Sequence, residues 1–192
     1  MNPTIATIGH SYIRRLGEYC RTNNLPVNFN ISWLNGFLYG KGGLNLTKLT
    51  DKLLSVDFFN VVHPDIVILQ LGGNDIDSRD FNLNIFMNNF EHLLRILLEQ
   101  GVQQIIVMKI FHRLVCRTSP ALYTARRSQV NFAVSQLVSK SYDSSVVFWN
   151  PKRVCQVHCL SGDGIHLPKS KQKAYYYDLK RAVLYVTRRL KN

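Results

Sequence analysis

Five short apolar runs, each followed by a polar or glycine-rich stretch and then a segment of helical period, constrain this chain more than any other feature. The runs fall at residues 5–8, 29–34, 66–71, 105–110 and 146–149. IVILQL at 66–71 and IIVMKI at 105–110 are nearly unbroken Val/Ile/Leu stretches, the pattern of strands buried on both faces. Between them, YIRRLGEYCR, LTKLTDKLLSVDFF, LNIFMNNFEHLLRILLEQ and ARRSQVNFAVSQLVSKSY space their apolar residues three and four apart, as amphipathic helices do. A last helix is expected over 171–190, and Gly101, directly after LLRILLEQ, closes the helix of that segment as a C-terminal stop. Strand and helix in alternation give right-handed crossovers and a mostly parallel sheet covered on both faces. The expectation is one α/β domain over residues 1–192, with no repeat or linker to divide it.

No apolar run approaches the ~20 residues that span a bilayer. Nor does the N-terminal stretch join a basic region to a long apolar one ahead of a cleavage site, so no secretory signal is expected. Four irregularly spaced cysteines, Cys20, Cys116, Cys155 and Cys159, suit reduced thiols in a cytoplasmic or nuclear setting better than a disulfide framework. CQVHC at 155–159 raises a metal site, but a tetrahedral site needs a second ligand pair, and no CxxC or HxxxH supplies one. No metal is expected.

The extreme feature is charge: 24 Lys and Arg against 12 Asp and Glu, a net +12. Such a field favours polyanions, either RNA or an anionic membrane surface. The basic residues fall in small groups: Arg14 with Arg15, Arg113 with Arg117, Arg126 with Arg127, Lys152 with Arg153, and a basic tail from Lys169 to Lys191. YYYDLK at 175–180 adds aromatics to that tail, and on a helix these pack the helix onto the sheet.

Sites in open α/β sheets form where the carboxyl ends of strands meet their loops. Four such loops carry Gly9-His10-Ser11, LYGKGGLN, LGGNDID and SGDGIHLP, and 111–124 is the longest irregular connection before the last of them. Taken singly, Gly-x-Ser reads as a helix cap or an anion-binding turn. GKGG reads as a flexible turn, GGND as a cap, Asp163 as a turn residue and His166 as a core histidine. Taken together they supply acyl transfer. A serine hydroxyl needs a base, the base needs an orienting acid, and the oxyanion needs preorganised donors. Ser11, His166 and Asp163 fill the first roles; the Ser11 and Gly43 amides and the Asn74 side chain fill the last.

In order and spacing, GHS at 9–11, GKGG at 40–43, GGND at 72–75 and DGIH at 163–166 resemble the four blocks of the SGNH (GDSL-type) hydrolases. The resemblance implies a three-layer α/β/α sandwich around a flavodoxin-like, mostly parallel five-stranded sheet. It implies Ser11 as nucleophile, His166 as base, Asp163 as its orienter, and an oxyanion hole of Ser11, Asn74 and Gly43 or its neighbour Gly42. It implies no cofactor, and a small ester or lipid as substrate. His10 stands where that family keeps an aspartate. Adjacent side chains leaving a strand point to opposite sides, so His10 is badly placed to serve Ser11.

A narrower resemblance rests on the Gly-His-Ser block followed by an arginine pair on a basic chain. It is to the esterase domains in first-open-reading-frame proteins of LINE-type retrotransposons, which would place the chain in a ribonucleoprotein particle. The competing reading is a binding module on the same scaffold, docking RNA or anionic membrane with weak or vestigial esterase activity. Oligomeric state has no trace in the sequence.

Overall fold

The computed structural model of the chain describes residues 2–55, 58–154 and 156–189. Its framework is a five-stranded, wholly parallel sheet: β1 (Thr4–Gly9), β2 (Asn35–Gly40), β3 (Ile66–Gln70), β4 (Gln104–Met108) and β5 (Val146–Trp149). The spatial order is β2-β1-β3-β4-β5. Around it lie α1 (Ser11–Thr22), α2 (Leu46–Ser55), α3 (Phe58–Val62), α4 (Leu83–Glu99), α5 (Pro120–Ser141) and α6 (Lys169–Arg189).

The alternation of side chains along each strand builds two cores. Ala6, Ile8, Val67, Leu69, Ile105 and Val107 face one way, against Leu46 and Leu49 of α2, Phe90 and Leu94 of α4 and Val130 and Val134 of α5. Ile5, Ile66, Ile68, Ile106 and Met108 face the other way, against Ile13 and Leu16 of α1 and Tyr175, Leu179 and Val183 of α6. This is the three-layer α/β/α sandwich with the flavodoxin-like strand order. Tyr175 and Tyr176 are buried as helix-packing residues, while Tyr177 lies at the surface.

Two elements depart from the sequence reading. The strand placed at 29–34 is a run of turns, and the second strand is NGFLYG at 35–40. Phe29, Ile31 and Leu34 are buried, which gives the apolar pattern, but Phe29 and Asn30 adopt φ of 58° and 55°, outside any strand. The Asn28 amide holds the turns by donating to the carbonyls of Ile31 and Leu34. At the other departure, α5 begins at Pro120, inside the stretch read as irregular. Ser119 caps it by accepting from the Leu122 N–H, and proline occupies the first turn, where its missing N–H is no loss. The helix read over 46–59 is described as α2 and α3, with 56–57 outside the described residues, as are Cys155 and Leu190.

Gly101 ends α4 as expected. At φ 87° it lets its own N–H reach Leu98 and that of Val102 reach Leu97, the paired bonds of a Schellman motif. Beyond β4 the chain is pinned from α5: Asn131 accepts from the Ile110 N–H and donates to the Ile110 carbonyl. Those bonds satisfy the Ile110 backbone from a helix and not from a neighbouring strand. Among the described residues, no helix is long and apolar enough to cross a membrane.

Candidate active site

In a sheet of this order the chain reverses its direction of winding between β1 and β3, and the crevice there is where ligands bind. The carboxyl ends of β2, β1 and β3 lie side by side, Gly40 beside Gly9 and Gly9 beside Gln70. They deliver GKGG, GHS and GGND to one place. The Lys41 N–H binds the Gly9 carbonyl, the Asn74 amide donates to the Leu44 carbonyl, and Asp75 accepts from the Leu46 N–H. The first three motif loops are thus laced together.

Ser11 opens α1, and α-helix geometry leaves its N–H without an intrahelical acceptor. Close packing seats this helix: a Cβ on Gly40 would fall 2.1 Å from the Arg14 nitrogen, and one on Gly9 would fall 2.6 Å from Ile13 Cγ1. The fourth motif arrives from the loop before α6. His166 Nε2 lies 2.7 Å from Ser11 Oγ, and His166 Nδ1 lies 2.8 Å from Asp163 Oδ2.

The D-x-x-H spacing has a local cause. Asp163 Oδ1 accepts from the Ile165 and His166 N–H groups, both at 2.9 Å, and from the Ser161 hydroxyl at 2.7 Å. One oxygen therefore closes the turn and the other meets the imidazole. Gly164 makes the turn at φ 66°, and its carbonyl accepts from the Leu114 N–H at 2.7 Å, tying in the loop from β4.

The electrostatics suit proton transfer. Burial raises the Asp163 carboxyl, but the His166 N–H, the Ser161 hydroxyl, the Ile165 N–H and the His166 ring outweigh it and hold the group well below the ordinary carboxylate range. An ionised Asp163 accepts from Nδ1–H, which leaves the Nε2 lone pair to Ser11. His166 itself is lowered by burial. Its bond to Asp163 opposes that shift, and the nearby Arg15 and Arg113 charges add to it. The net shift favours the neutral imidazole, the form that can accept a proton.

His10 takes no part in that line. Its ring is buried edge-on to Tyr12 and beside Arg113, and burial, followed by the Arg113 and His166 charges, pushes it down to about 3. The residue adjacent to the serine is thus a neutral packing group, and the histidine at the hydroxyl is His166. Asn74 sits in the 72–75 loop as expected. Gly43, at φ 72°, and Gly42 both have open space where a side chain would lie, and nothing in their contacts chooses between them.

Four residues here escaped the sequence reading. The Tyr12 hydroxyl donates to the Ile165 carbonyl and holds the 163–166 loop against α1. Arg15 lies 3.2 Å from Asp163 Oδ2. Arg113 and Asp77 form a buried ion pair at 3.4 Å beneath the site. Of these the sequence marks only Arg113 and Arg15, as members of its basic groups. Arg113 and Arg127 are buried, Arg14 pairs with Glu18, and Arg126 donates to the Ile76 and Ser78 carbonyls. Arg113 and Arg127 are thus removed from the solvent-facing charge, whereas Arg14 keeps its pair at the surface. Cys20, Cys116 and Cys159 are free thiols, and no cluster of three metal-ligating side chains occurs among the described residues.

The sequence matches no protein-family model, and no curated protein matches it. Solved structures do resemble it. A carbohydrate esterase family 3 protein from Talaromyces cellulolyticus superimposes with a TM-score of 0.70 at 15% identity, over 96% of this chain and 98% of that one. A GDSL-like lipase from Bacteroides thetaiotaomicron gives 0.67 at 13%, over 96% and 89%. An acetylxylan esterase from Geobacillus stearothermophilus gives 0.66 at 14%, over 93% of each chain. At such identities the likeness is one of architecture: the chain has the α/β fold of the SGNH (GDSL-type) hydrolases.

Proposed function

We propose that this chain is a serine hydrolase of carboxylic esters, acting through an acyl-enzyme on acetyl or short-acyl substrates. The observation that carries the reading is the unbroken line from Ser11 Oγ to His166 Nε2, 2.7 Å, and from His166 Nδ1 to Asp163, 2.8 Å, at the β1/β3 crevice. Ser11 attacks the ester carbonyl as His166 takes its proton. The same imidazolium then protonates the leaving alcohol, and water reverses the sequence to release the acid. Asp163 stays ionised, holds the tautomer and stabilises the imidazolium. The Ser11 N–H, the N–H of Gly43 or its neighbour Gly42, and Asn74 Nδ2 are assigned to the oxyanion, where each preorganised donor is worth about 10²–10³ in kcat.

The acyl preference draws support from the acetyl esterases among the similar structures. The narrower resemblance to retrotransposon esterase domains rests on the Gly-His-Ser block and the arginine pair alone, and Arg15 of that pair is occupied with Asp163. Hydrolysis of p-nitrophenyl esters graded in acyl length, by wild type and Ser11→Ala, tests the assignment. The expected result is turnover that falls with acyl length and drops by orders of magnitude in Ser11→Ala; equal rates for the two proteins would overturn it.

A further inference from the structure

Arg113 is buried, 6% exposed, in a loop whose neighbouring side chains Leu114 and Val115 face solvent. Burying a guanidinium against one carboxylate is a poor source of stability, since an apolar side chain of the same size fills such a space without the desolvation penalty. What the cation touches is therefore informative. Its NH1 group reaches Asp77 Oδ2 at 3.4 Å, and its NH2 group donates to Asn74 Oδ1 at 3.0 Å. The carbon of the guanidinium stands 5.5 Å over the Tyr123 ring. Asp77 is itself held, with Oδ1 accepting from the Arg117 N–H, the Thr118 N–H and the Thr118 hydroxyl. Gly73 leaves room for the contact, because a Cβ there would come within 2.9 Å of the Arg113 NH2 nitrogen.

The consequence for Asn74 is orientational. A guanidinium only donates and a carbonyl only accepts. With Arg113 on one side of the amide and the Leu44 carbonyl 2.8 Å from its nitrogen, the carboxamide has one arrangement that satisfies both. Flipping it would set NH₂ against a cation and oxygen against oxygen. In the satisfied arrangement Nδ2 spends one hydrogen on Leu44 and keeps the second for a ligand.

We propose that Arg113, anchored by Asp77, is the positioning residue of the oxyanion hole: it locks the Asn74 amide with its free N–H turned out for the developing oxyanion. This rests on the hydrolase reading above. Arg113 touches no substrate and acts through Asn74, so its contribution belongs to turnover and not to ground-state binding.

The test is a double-mutant cycle on p-nitrophenyl acetate hydrolysis, measured on the pH plateau, with Arg113→Met, Asn74→Ala and the double variant, and with folding checked by circular dichroism. Arg113→Met is expected to lower kcat about 10-fold or more at unchanged KM, short of the roughly 10²–10³-fold loss in Asn74→Ala. The double variant is expected to match Asn74→Ala alone, because the lock has nothing left to act on. Gly73→Ala, which displaces the guanidinium without removing it, should reproduce the kcat loss and carries the test if Arg113→Met fails to fold. Wild-type kcat in a folded Arg113→Met, or in Gly73→Ala where Arg113→Met does not fold, or multiplicative losses in the double variant, would overturn the proposal alone. A wild type without Ser11-dependent turnover would remove the hydrolase reading, and this inference with it.

Discussion

Gly40 ends β2 where α1 crosses it, and its substitution tests whether the seating of Ser11 depends on close packing. The backbone at Gly40 has no positive φ, so alanine there is objectionable only on steric grounds. Its Cβ would lie 2.1 Å from the Arg14 nitrogen, 2.5 Å from the Arg14 Cα and 2.6 Å from the Ile13 carbonyl carbon, where ordinary contact begins at 3.4 Å. These are backbone atoms and cannot rotate away, so helix and strand must separate by roughly 1 Å. Overpacking of this kind costs about 1–3 kcal/mol. In a chain of this size that lowers Tm by roughly 2–12 °C. Ser11 rides on the displaced helix, and a misplacement of about 1 Å is enough to cost up to ~10²-fold in rate. Gly42, two residues on, has nothing within 4 Å of its Cβ position, so Gly42→Ala is the matched control. Thermal unfolding by circular dichroism should show a clear fall for Gly40→Ala and a change of about 1 °C or less for Gly42→Ala. Equal melting temperatures and equal ester turnover in Gly40→Ala and wild type would refute the reasoning.

The pH profile gives a second prediction. Burial, with the Arg15 and Arg113 charges, lowers His166, and catalysis needs its unprotonated form, so the acid limb of kcat/KM should fall below the ordinary histidine value of ~6.5. Removing the cation in Arg15→Ala should move that limb upward in pH; a downward move would contradict the electrostatics. Asp75 gives a third. Burial raises it to about 6, against the opposing bond from the Leu46 N–H. Its folded value lies above the unfolded one, so its share of stability is complete below about pH 4 and lost as the pH rises through about 6. Asp75→Asn keeps the acceptor for Leu46 and removes the charge. In urea unfolding it should be more stable than wild type by on the order of 1–3 kcal/mol at pH 7.5 and equal to it near pH 4. Lower stability at pH 7.5 would count against it.

What the sequence disclosed tracks the range of the interactions that shaped it. β3 and β4 were legible because a strand buried on both faces needs a continuous apolar run, and the chain has them. The second strand was misplaced because the apolar residues at 29–34 serve buried turns fixed by the Asn28 side chain, whereas NGFLYG, a partly exposed edge strand, carries little apolar pattern. The start of α5 was recoverable in principle from Ser119-Pro120, a cap followed by a first-turn proline.

In the site, D-x-x-H was legible because one carboxylate makes both the turn and the imidazole contact within four residues. Arg113 on Asp77 and Asn74, and Arg15 on Asp163, are contacts across 36, 39 and 148 positions. No local spacing announces them, and composition alone cannot separate a buried guanidinium from one that faces water.

The role proposed for Ser11 is that of a nucleophile made reactive by His166. Covalent labelling by an alkyl fluorophosphonate, mapped by peptide mass spectrometry and compared between wild type and His166→Ala, tests it most directly. The expected result is rapid modification of Ser11 alone in wild type and its near abolition in His166→Ala. Label on another residue, or an equal rate of Ser11 labelling in the two proteins, would contradict it.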